Sequence, residues 1–348
     1  MRPTFSIIFF TVISGAGYGL LFLIGFALAT GLSLIPHDRW IMDGPHETVD
    51  PRVGMLILLA VGVLLASAGL LASIGHLGQP LRSWRAFSQW RSSWLSREGV
   101  AALATYVPII VIVWMIWPRA DPYSATTLRV CGALLAACSA VTVICTAHIY
   151  SSLKPIRAWH NAYVLPGYLL LGIYSGALTL GAVCTLLPAT VAPTHVWYAS
   201  VMELNFWFGA PCCVLLKWLY WRFLESPVDR STIGSATGLD RFGTVRSSEQ
   251  PHTEENYLTH EMGFVVARKH SRRLRALAFW AILLGPVVIS VVTMLITLLA
   301  GFPLALSLVW LASWTGLLLG VTGVFIERWL FFAEAKHVVT LYYGAASA

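Results

Sequence analysis

Residues 54–98 read GMLILLAVGVLLASAGLLASIGHLGQPLRSWRAFSQWRSSWLSRE. The first half, up to His76, carries no charge and matches the roughly 20 apolar residues that an α-helix needs to cross a bilayer. The second half turns polar at once, with four arginines, three tryptophans, His76 and Glu98 in the 23 residues before the next apolar run. A helix that ends in an interfacial segment is therefore the unit to look for elsewhere. Reading apolar runs outward predicts eight such helices, at about 5–35, 54–76, 98–117, 125–150, 164–188, 195–223, 274–300 and 304–332. Only helices and closed barrels satisfy the backbone in lipid, and these runs are too long and unalternating for barrel strands. The expected fold is an all-α integral membrane bundle of eight transmembrane helices, with both termini on one side, forming a single membrane domain over 1–348.

Composition agrees. Charged residues make up 11% of the 348-residue chain and hydrophobic ones 57%, with a mean hydropathy of +0.72, whereas soluble domains carry about 25% charged residues. The formal net charge of +7 sits in loops between apolar runs, where topology and lipid headgroups account for it without nucleic acid. Nineteen of the 23 lysines and arginines fall on the side shared by the even-numbered loops and the termini, among them Lys217 and Arg328; Arg39, Arg52, Arg119 and Arg129 fall on the other. The bias places both termini in the cytoplasm. The N-terminal apolar run is too long for a signal-peptide core and is expected to remain as the first span.

The loops differ in kind. The first external loop, IPHDRWIMDGPHETVDPR, is polar and reads as a cap, and short connections at 118–124 and 189–194 make their flanking helices antiparallel neighbours. The sixth loop, about 225–273, mixes both signs of charge with glycine. It is too long for a connector and too poor in apolar residues for a core of its own, so it reads as a docking strap, or else as a disordered tether.

Small residues at helical spacing, Gly15, Gly17 and Gly19, Gly172 and Gly176, and Gly316, Gly320 and Gly323, read as close helix contacts. The six cysteines all lie in apolar runs without metal-ligand spacing, so no metal site is expected. The Gly234 and Gly238 pair lacks the strand and helix of a dinucleotide fingerprint. His76 and His148, at the ends of two helices, could hold one haem between them, although haem anchors usually place histidines deeper. Ionisable groups within spans are costly and point to function. Glu98 opens the third helix; Glu203, about 12 Å into the sixth, belongs either to a proton path or to a local pairing with Asn205. Lys217 is too far along the same helix to reach Glu203. In the opening stretch His76 can exchange a proton near neutral pH, Glu98 can accept one, and Arg82 can hold a quinone oxygen or a lipid phosphate.

The stretch HLGQPLRSWRAFSQWRSSWLSRE resembles the membrane-anchor subunit of DMSO reductase and its relatives among molybdenum enzymes. YSSLKPIRAWHN at 150–161, the GSATGLDRFG to EENYLTHEMGFVVARKH loop and ERWLFFAEAKHVVTLYYG at 327–344 are similar to the same family. The resemblance implies an eight-helix anchor in the bacterial inner membrane, without haem or covalent cofactor, that binds a quinone or quinol, menaquinone or ubiquinone. It also implies two partners, a four-cluster iron-sulfur subunit and a molybdopterin catalytic subunit, both on the cytoplasmic side. It places the quinone site on His76, Arg82 and Glu98; the family's HLGRP is HLGQP here, with Gln79. Arg85, Arg91, Arg241 and Arg246 become docking candidates, alongside a tryptophan belt at the lipid interface. A secondary transporter and a haem b anchor are the competing readings, and the substrate is not implied.

Overall fold

The computed structural model describes residues 4–32, 51–75, 79–117, 124–187, 195–226, 231–246, 248, 266–299, 302–343 and 345. His76, most of the first external loop and the 118–123 and 188–194 connections lie outside the described residues. Among the described residues the chain is all helix and turn, without strands.

Helix α1 (Phe5–Thr30) is the axis of the first half, packing against α2 (Pro51–Ile74), α4 (Ala125–Ser151) and α5 (Val164–Cys184). Its apolar residues surround it evenly, as suits a helix covered on several sides. Close approach needs glycine at the crossing with α5, where a Cβ at Gly19 or Gly176 would collide with the facing backbone. Helix α3 (Trp94–Ile116) completes this half by packing on α4. The second half is the pair α9 (Val266–Leu299) and α10 (Phe302–Ala333), whose crossing is equally tight: a Cβ on Gly316 would lie 2.5 Å from the Gly285 carbonyl. Helix α10 also packs on α5, which joins the halves. The glycines singled out in the sequence thus serve helix packing.

Among the described residues seven helices, α1 to α5, α9 and α10, have the length and apolarity to cross a membrane. Exposed Leu64, Leu71, Val107, Ile110 and Trp114 line their outer faces, as lipid contact requires. The run at 195–225 is interrupted: α6 (His195–Leu204) passes through a wide π turn, Asn205–Gly209, into α7 (Ala210–Glu225). Pro211 explains the break, because it cannot donate to the carbonyl four residues back and its ring crowds that carbonyl.

Helix boundaries shift where caps overrule hydropathy. The Ser93 side chain accepts from Ser96 N at 3.4 Å, so α3 starts at Trp94 rather than 98 and takes in the end of the polar stretch. Helix α9 starts at Val266, absorbing the basic residues 267–275 expected in the loop. Within that loop a single helical turn, α8 (Ile233–Thr237), opens on a Thr232–Ser235 capping box and closes on Gly238 at φ 71°.

Candidate functional site

The polar stretch after α2 forms a 3-10 helix, Pro80–Gln89, that folds back over the start of α3. Its anchor is Phe87, whose ring lies so close to Gly99 that a Cβ there would sit 2.8 Å from it. Arg82, Arg85 and Arg91 all remain exposed, as do Trp84 and Trp90. Arg97 ties the segment to α3, donating to the Trp90 carbonyl at 3.1 Å and the Arg91 carbonyl at 2.6 Å.

Immediately beneath, Glu98 is only 4% exposed. Its carboxyl accepts from the Thr146 hydroxyl of α4, and the same hydroxyl oxygen lies 3.0 Å from the Thr142 carbonyl. One turn away, Trp94 stacks on His148 with ring centroids 4.4 Å apart, and the Arg97 guanidinium lies 4.3 Å from the Trp94 ring centroid. Ser151 Oγ, 3.0 Å from His148 Nδ1, orients the imidazole. Buried carboxyl, half-buried imidazole and exposed arginines thus occupy one end of the bundle. Arg82, being exposed, does not pair with Glu98.

A second polar centre lies deeper, built from residues that the sequence reading places among the loop charges. Lys217 of α7 and Arg328 of α10 are each 2% exposed and share Glu327 between them, with Lys217 Nζ 2.5 Å from Oε1 and Arg328 Nε 2.7 Å from Oε2. Both cations therefore drop out of the topogenic count, which keeps its sign without them. Aromatic faces hold the excess charge: the Arg328 guanidinium lies 4.0 Å from the Tyr168 ring centroid, and Lys217 Nζ lies 4.7 Å from that of Tyr220. Around them pack Tyr150, Trp159, Phe331 and Phe332, and Trp159 Nε1 donates to the Phe331 carbonyl at 3.0 Å. The signal for this centre was a Glu-Arg pair inside an apolar run, and a lysine in another.

At the rim Arg275 bridges Glu334, 2.9 Å, and Glu225, 2.5 Å. Burial holds the Glu334 carboxyl above its usual range despite that cation. Glu203 is exposed on α6, and Asn205, offered as its partner, turns inward to donate to the Tyr174 carbonyl at 3.4 Å. Arg241 and Arg246 are exposed beside α8. Cys131 and Cys145 pack in the α4 core, and among the described residues no group of three or more His, Cys, Asp or Glu could hold a metal ion.

Fold and site define a class: a multi-pass membrane protein with its buried polar chemistry concentrated at one end. The chain belongs to the family of the DMSO reductase anchor subunit, DmsC, whose model matches residues 1–344. It is also 29% identical to a sulfite dehydrogenase subunit of Allochromatium vinosum over 355 residues, covering all of both chains. No solved structure matches it. The protein is thus a membrane anchor of a molybdoenzyme complex.

Proposed function

We propose that the chain exchanges electrons between the quinone pool and an iron-sulfur subunit that relays them to or from the molybdopterin subunit, and that His76, Arg82 and Glu98 form its quinone site. The observation that carries this reading is Glu98: a buried carboxyl, one helical turn inside the bundle end, roofed by an amphipathic, arginine-bearing 3-10 segment. A bound quinone supplies two-electron, two-proton redox chemistry. The residues present fit that need. Glu98 can hold a proton against Thr146, Arg82 offers a cationic hydrogen-bond donor at the membrane edge, and the exposed tryptophans give the segment an interfacial seat.

The same end suits docking. Arg85, Arg91, Arg241 and Arg246 are exposed cations, and Lys154, Arg157 and His160 line a groove of about 560 Å³. We assign this end to the cytoplasm, eight spans to the bundle by counting 195–225 as one interrupted crossing, and the bacterial inner membrane as the location. Electron transfer falls steeply with distance, so a quinone here must sit beneath the iron-sulfur partner. Glu203, on the lipid-facing side of α6, is retained as a secondary proton group.

The test is quinone-coupled turnover of the purified complex carrying Glu98→Gln or His76→Ala. Loss of at least roughly tenfold, about 1.4 kcal/mol of transition-state stabilisation, is expected while artificial-donor activity of the molybdopterin partner persists; unchanged turnover in an intact complex refutes the site.

A further inference from the structure

An internal cavity of about 20 Å³ separates Thr146, the partner of Glu98, from Arg328 in the buried ion cluster. Some of its lining hydroxyls are committed to their own helices: Thr11 donates to Ile8 O at 3.0 Å, Ser14 to Phe10 O at 2.6 Å and Ser175 to Leu171 O at 2.7 Å. The Tyr18 and Tyr168 hydroxyls and both Nη atoms of Arg328 are buried too, with Tyr18 turned toward Thr142 and Tyr168 toward Arg328 in contacts too poorly aligned to satisfy them. Donors left unsatisfied around one space would be costly in a bundle core. A water needs about 10–15 Å³ and two to four polar partners, and this cavity offers both.

Charge leads to the same place. The charged side chains buried among the described residues are Glu98, Lys217, Glu327 and Arg328. They sum to zero with Glu98 ionised and to +1 when it is protonated. We propose that the cavity holds water bridging Tyr18, Tyr168 and Arg328 to Thr146, so that Arg328 is the water-linked counter-ion that positions the proton of Glu98. Arg328 is a positioning residue in this scheme, and the proposal deepens the reading of Glu98 as the proton-exchanging group of the quinone site.

Other groups face Glu98: Tyr18 from α1, Cys145 and Tyr150 from α4, and Tyr168 from α5, with Arg97 next to it in the chain and His148 stacked on Trp94 one turn away. Phenols and thiols carry no charge near neutral pH, and Arg97 is occupied at the rim with the Trp90 and Arg91 carbonyls. Arg328 lines the cavity and Lys217 does not, so Arg328 is the cation on the Glu98 side of the buried cluster.

Infrared titration of the purified, quinone-free complex reads the carboxyl band of Glu98, identified by its disappearance in Glu98→Gln. Arg328→Gln is expected to move the midpoint of that band to higher pH by about one unit, a tenfold change, and Arg328→Lys to restore most of it. Tyr168→Phe, which keeps the ring and the fold, should shift it in the same direction by less, and it decides the matter if Arg328→Gln does not assemble. An unmoved band in a folded variant overturns the proposal. Quinone is absent from the sample, so failure of the counter-ion and failure of the quinone site are read separately.

Discussion

Individual residues carry most of the chemistry, and their legibility in the sequence varied with how many partners each needs. Glu98 could be found because a lone carboxylate at the lip of an apolar run is conspicuous. Lys217 and Arg328 were misplaced because a cation near a helix end looks the same whether it snorkels to the interface or turns inward; the difference is Glu327, which meets Lys217 only once α7 and α10 are packed together. Breaking a buried pair costs more than the pair is worth, since a charge is left uncompensated in low dielectric. Glu327→Gln, which leaves both Lys217 and Arg328 without their carboxylate, is therefore expected to destabilise by about 3–5 kcal/mol, read as a lower thermal midpoint of the purified complex. Adding Lys217→Met, which removes one of the two orphaned cations, should recover part of this loss.

At the scale of elements, spans were readable and their ends were not. Twenty apolar residues announce a helix but not where it starts: capping by Ser93 moves α3, and α9 reaches back to Val266 through a basic stretch that hydropathy leaves out. The π turn at 205–209 was equally invisible, although Pro211 marks it in retrospect. The 3-10 turn after α10, Val338–Leu341, shows how a small element responds to pH. His337 Nδ1 accepts from Val339 N at 3.0 Å, and Val338 N donates to Pro155 O at 3.1 Å, pinning the turn to the α4–α5 loop. Burial pushes the His337 imidazole below its usual range. The fold thus favours the neutral ring, so this contribution is full above about pH 6.5, the ordinary histidine value, and fades as pH falls through the depressed one. Amide exchange at 338–343 should quicken on acidification in the native chain, and an already fast, pH-insensitive opening is expected for His337→Ala.

For the molecule as a whole, the distribution of charge is the readable quantity. Composition alone identified a membrane bundle, whereas the assignment of sides rests on loop cations and the partner contacts on exposed arginines. If the 3-10 segment docks the electron-transfer partner, reversing Arg85→Glu and Arg91→Glu together should weaken assembly at low salt and narrow the difference from the native complex as ionic strength rises. Co-purification yield across a salt series measures it; equal retention of the partner at every ionic strength places the interface elsewhere.

The Lys217–Glu327–Arg328 cluster also bears on how the protein is made. Chains emerge N-terminus first, so Lys217 enters the bilayer with α7 long before Glu327 is synthesised on α10. Until then the lysine is a solitary charge in a hydrophobic segment, at roughly 2.5–3.5 kcal/mol by insertion scales. Helix α10 arrives bearing the carboxylate that relieves it, together with the arginine that this carboxylate must also hold. The charge balance of the bundle is therefore completed only by its last long helix: a chain that stops short of it holds Lys217 without the carboxylate that pairs with it.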